Sequence, residues 1–141
     1  MKNPKVAFKW DLLGSRKWVG ELADRLPVRS ITSLTPSFKR ISFRDITIEH
    51  CDKVIDLIGI PETPVTQVLM NRIFVKDSKD LISVRDVDGL IISNSEISST
   101  DNRAEFTGTK NIMFINTIFH VPNERIQTSY EDAESLPLFM E

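Results

Sequence analysis

A recurrence of apolar positions every 22 residues constrains this chain more than any other feature of its sequence. Val68, Met70, Ile73 and Val75 return 22 places later as Leu90, Ile92, Ser95 and Ile97, and again as Ile112, Phe114, Thr117 and Phe119. Ile41, Phe43, Ile46 and Ile48 repeat the internal spacing 27 residues before the Val68 set, and Gly59-Ile60-Pro61-Glu62-Thr63-Pro64 accommodates the extra five. A second apolar pair falls 14 and 16 residues past the first position of each unit: Ile55 with Leu57, Ile82 with Val84, Ala104 with Phe106. Periods of this size mark solenoids.

Within each run the apolar residues alternate, as a half-buried strand requires, and the three-and-four spacing of a helix does not recur. Stacked units place equivalent strands side by side, parallel and about 4.8 Å apart, so each coil covers the interior of the next. The expected fold is therefore all-β, a parallel β-helix of about four coils. Alternation breaks between the second and third apolar positions, where Asp45, Arg72, Asn94 and Asn116 stand. Asn and Asp tolerate left-handed backbone angles, so a tight bend is expected there, with Asn94 and Asn116 placed to stack as a ladder.

Three segments are expected. Residues 1–34 form a cover: Val6, Phe8 and Trp10 alternate as a strand, and Gly14-Ser15 turns the chain. Trp18, Leu22 and Leu26, with Val19 and Ala23, then have helical spacing up to Pro27. That short helix is expected to pack on the solenoid; the alternative is a partner-binding helix anchored by Trp18. Residues 35–128 hold the coils, with turns at 76–80, 86–89, 98–103 and 107–110, and with Ile126 and Thr128 at the next second-strand pair. Residues 129–141 form an acidic tail or cap, whose Leu136, Leu138 and Phe139 fold over the open end and protect strand edges.

Composition narrows the function classes. The chain has one domain's length at 141 residues, and a net charge of −2 supplies no basic field, so a nucleic-acid partner is not expected. No apolar run approaches the roughly 18 residues that cross a bilayer, so no membrane partner is expected. Met1 to Lys9 starts basic without the apolar core of a secretion signal. The single cysteine, Cys51, excludes an internal disulfide and reads as a buried structural thiol.

The repeat, with Gly59-Ile60-Pro61-Glu62-Thr63-Pro64 interrupting it, resembles the polygalacturonase-type glycoside hydrolases of the pectin lyase-like group, in which a Gly-Leu-Pro-Glu-like turn recurs late in the solenoid. Thr35-Pro36-Ser37-Phe38-Lys39-Arg40-Ile41 and Val65-Thr66-Gln67-Val68 are similar to the coil pattern of that family, and the likeness runs over about residues 35–120. It implies a right-handed β-helix, a pectin-like polysaccharide as partner, and secretion or periplasmic export.

Members of that family use three aspartates, a Gly-His-Gly and an Arg-x-Lys triplet. An inverting glycosidase needs two carboxyl groups roughly 6.5 to 9.5 Å apart. Here no Asp-Asp pair occurs, neither His50 nor His120 lies between glycines, and Thr100-Asp101 is at best a fragment of an Asn-Thr-Asp motif, with Ser99 in the place of Asn. No catalytic residue is assigned, and both histidines read as turn or surface imidazoles. Asp77, Asp80, Asp86 and Asp88 read as solvated turn acids rather than calcium ligands, and no zinc spacing or phosphate loop is present, so no metal or cofactor is expected. Asp88 aligns with Lys110 one coil later as a surface ion pair.

Three functions follow in order: the C-terminal coils of a polygalacturonase-like hydrolase, acting structurally; a polysaccharide-binding module using Phe74, Phe119, Arg44, Arg72, Arg85 and Arg103; and an assembly solenoid that self-associates or takes a companion chain through its open ends.

Overall fold

A computed structural model describes residues 2–141. Its strands are β1 (Val6–Asp11), β2 (Lys39–Ile48), β3 (Cys51–Ile58), β4 (Val65–Val75), β5 (Ser78–Arg85), β6 (Val87–Ser98), β7 (Arg103–Thr107), β8 (Lys110–His120), β9 (Gln127–Glu131) and β10 (Leu138–Met140). Odd-numbered strands form one sheet in the order β1-β3-β5-β7-β9 and even-numbered strands the other, β2-β4-β6-β8-β10. Every strand pair in both sheets is parallel. A chain that alternates between two sheets and returns each time one place further along is a β-solenoid, here of about four coils.

The repeat dictates the register. Ile41 pairs with Val68, Val68 with Leu90 and Leu90 with Ile112, while Phe43, Met70, Ile92 and Phe114 form the next column. In the other sheet Ile55, Ile82 and Ala104 align, as do Leu57, Val84 and Phe106. Val68, Met70, Leu90, Ile92, Ile112 and Phe114 are each no more than 1% exposed. At about 1.5–3 kcal/mol per buried large apolar side chain, these columns are the main stabilising feature of the fold.

The bends fall where alternation breaks. Asp45, Arg72, Asn94 and Asn116 all lie in the left-handed region, at φ of 54°, 55°, 50° and 45°. They are linked along the axis: the Arg72 guanidinium donates to Asp45, and Asn116 Nδ2 donates to Asn94 Oδ1 at 2.8 Å. Two hydroxyls occupy apolar columns without penalty. Ser95 Oγ accepts from the Ile73 amide at 3.0 Å and donates to the Ser93 carbonyl, and Thr117 Oγ1 donates to the Ile92 and Ile115 carbonyls. Buried Ser95 therefore meets the requirement that a buried polar group be hydrogen-bonded, and half-buried Thr117 is satisfied in the same way.

Two expectations are corrected. The helix is only α1 (Arg16–Val19), followed by a 3₁₀ turn (Gly20–Ala23), and it buries no residue; Trp18 is 79% exposed. Gly20, at φ 59° and ψ −131°, takes the backbone out of the helical region before Leu22 and Leu26 can join one face. The second correction is at the last coil, where Thr128 and Tyr130, not Ile126 and Thr128, pair with Ala104 and Phe106. A 3₁₀ turn at Pro122–Glu124, with Asn123 at φ 59°, takes up the two additional residues. Beyond it, β10 pairs with β8, and Phe139 stacks on Phe114 with ring centroids 4.8 Å apart.

Candidate functional site

Stacking brings carboxylates from successive coils together on the outer side of the odd-numbered sheet. Asp80, Asp101 and Glu105 line a shallow polar hollow of about 160 Å³ with Lys53 and Arg103. β5 and β7 supply Asp80 and Glu105, and the turn between β6 and β7 supplies Asp101. Arg103 Nε donates to both oxygens of Asp101, at 2.9 and 3.2 Å, and Lys53 stands beside Asp80 in the β3–β5 register. Asp101, the fragment of the sequence motif, is thus held by a neighbouring cation two residues away. The ion pair formed within the hollow is that of Arg103 with Asp101.

The other singled-out residues are dispersed. His50 Nδ1 bonds Asp77, and His120 Nε2 bonds Glu96 at 2.7 Å, so the two imidazoles sit in separate surface pairs. Asp88 meets Lys110 at 3.5 Å and accepts from Asn111 Nδ2 at 2.7 Å. Among the described residues no three His, Cys, Asp or Glu side chains converge to hold a metal ion. Phe74 faces outward in register with Glu96, whereas Phe119 turns inward against Phe114, so the two rings make no row. Arg72 and Arg103 are committed to Asp45 and Asp101.

Cys51 is fully buried at the start of β3, and burial, with the charges of Asp52 and Asp77 adding, pushes its thiol up to about 11. A thiol kept neutral in this way is a packing group rather than a nucleophile.

Asp86 departs from the expected solvated turn acid, since only 2% of its side chain is exposed. Arg25, from the segment that links β1 to β2, reaches it through Nε at 2.9 Å and Nη2 at 2.9 Å, and touches Asp132 through Nη1 at 3.2 Å. The hydrogen bonds to Asp86 hold the Arg25 guanidinium above its ordinary range. Four residues on, Arg29 pairs with Glu62, whose side chain is 5% exposed. These two arginines strap residues 25–29 onto the turn between the sheets. Nothing periodic announces them, but two glycines mark the place. A Cβ on Gly59 would lie 2.1 Å from the Asp86 carbonyl oxygen, and one on Gly108 would lie 2.4 Å from Asp86 Oδ1.

The arrangement defines a class, a short parallel β-solenoid of about four coils. Comparison with protein-family models, curated proteins and solved structures finds no match to this chain.

Proposed function

We propose that the chain supplies closing coils of a polygalacturonase-like glycoside hydrolase, contributing solenoid structure while catalytic groups lie on other coils. The observation that carries this reading is the contrast between the two ends of the even-numbered sheet. At one end β10 adds to β8 and Phe139 covers Phe114. At the other, β2 pairs only with β4, and Ile41, Phe43 and Ile46 stay partly exposed although they head the same columns as buried Val68, Met70 and Ile73. A ten-residue edge strand, paired on one side only and with partly exposed apolar side chains, is a template for another parallel strand. The Gly59 to Pro64 turn, which the family likeness rests on, lies between β3 and β4 and contributes Gly59 and Glu62 to the strapped region.

Incubating the isolated chain with polygalacturonate tests the proposal. No release of reducing ends and no calorimetric binding of pectin fragments are expected; measurable hydrolysis by the purified chain would remove the reading.

A further inference from the structure

The outer side of the even-numbered sheet carries a feature unrelated to the coil edges. Arg40, Gln67, Gly89 and Asn111 form a second column of left-handed residues, at φ of 60°, 57°, 89° and 55°. Each turns its strand just before the outward-facing residue of the next column, which reads Ser42, Leu69, Ile91 and Met113 in register. The bends make this side concave, and a trough of about 560 Å³ runs along the solenoid axis there. Spanning three steps of about 4.8 Å from β2 to β8, it is roughly 14 Å long.

The trough is polarised. Arg40 and Arg44 stand at the β2 end, and the floor beyond them is Leu69, Ile91 and Met113. None of its lining residues is acidic. Neither arginine forms an ion pair or hydrogen bond with the described residues; Asp45, beside Arg44, is engaged by Arg72, and Arg44 acts on it only through space. Side chains in aliphatic rows suit an apolar body better than a sugar ring, which stacks on aromatics, and the two free guanidinium groups suit a carboxylate. Volume and lining match those of small-molecule sites, mostly apolar with a few orienting polar groups.

We propose that this trough binds an amphipathic carboxylate, its anionic head between Arg40 and Arg44 and its apolar body lying along the axis over Leu69, Ile91 and Met113. Titration calorimetry of the full chain with dodecanoate, below its micelle concentration, tests the assignment. One saturable site is expected, weakened at least tenfold in the Arg40→Gln/Arg44→Gln double variant and in Leu69→Glu, while Lys9→Gln, on the other sheet, leaves it unchanged. Dodecanol is expected to bind at least tenfold more weakly than dodecanoate. Absence of saturable heat, equal affinity for dodecanol, undiminished affinity in the arginine double variant, or tighter binding of trigalacturonate than of dodecanoate would each overturn it. Should Leu69→Glu fail to fold, the arginine variant, which changes only exposed side chains, carries the test alone.

Discussion

Replacing Gly108 by alanine separates two costs that the strap on Asp86 combines. Gly108 has φ 60°, and its column neighbours Asp86 and Asp132, both at φ 50°, show that residues with side chains adopt this conformation here. The conformational part of the cost is then about 1 kcal/mol, the lower bound for a left-handed L-residue. Crowding is the larger part. The added Cβ would lie 2.4 Å from Asp86 Oδ1 and 2.6 Å from Arg25 Nη2, so the ion pair must move. Breaking a buried pair costs about 3–5 kcal/mol, but 28% of the Arg25 side chain meets solvent, which reduces the loss to about 2 kcal/mol. Gly108→Ala should therefore destabilise by about 3 kcal/mol in urea unfolding. In an Arg25→Ala background the pair is already gone, and the same substitution should cost about 1–2 kcal/mol less, a coupling expected for residues in contact. Additive effects in that cycle, within experimental error, would refute the claim that Gly108 is needed to make room for the strap.

The buried Thr109 Oγ1 has no hydrogen-bond partner among the described residues, and its position lies 22 residues after Val87, so Thr109→Val should raise stability by about 1 kcal/mol, read as a higher urea midpoint. Cys51 should react with a thiol reagent at pH 8 only at the rate of unfolding. Its folded pKa of about 11 lies above the ordinary value of 9.0, so the stability it contributes is complete below pH 9 and lost as pH rises through 11. Cys51→Ala should flatten that alkaline slope. On the acid side, hydrogen bonds from Arg72, Lys76 and Lys79 hold Asp45, Glu49 and Asp52 below their ordinary values. Depressed carboxylates stabilise above their unfolded pKa and lose that contribution as pH falls through the folded one, so the melting temperature should drop below about pH 4 and the drop should shrink in high salt.

What the sequence made legible was whatever stacking repeats. A residue that must sit on its own equivalent one coil away leaves a period, which is why the Val68, Leu90 and Ile112 column and the bend at Asp45, Arg72, Asn94 and Asn116 could be read from spacing alone. Contacts made once leave none. Arg25 meets Asp86 across 61 residues, and only the crowded glycines at 59 and 108 point to the place. The spacing of Trp18, Leu22 and Leu26 suggested an amphipathic helix, yet a helical face is stabilised by what it packs against, and Gly20 ends α1 before such a face exists. The polar hollow at Asp101 and the trough at Arg40 leave no signature in the sequence for a related reason: each draws residues from several coils, and only the register brings them together.

Methyl nuclear Overhauser contacts along the interior test the stacking most directly. In a sample labelled at Val, Leu and Ile methyls, Leu90 should show strong cross-peaks to both Val68 and Ile112, while Val68 and Ile112, two steps of about 4.8 Å apart, give a much weaker one. Cross-peaks joining Leu90 to neither residue, with its methyls instead contacting side chains from a different phase of the repeat, would contradict the fold on which every other inference rests.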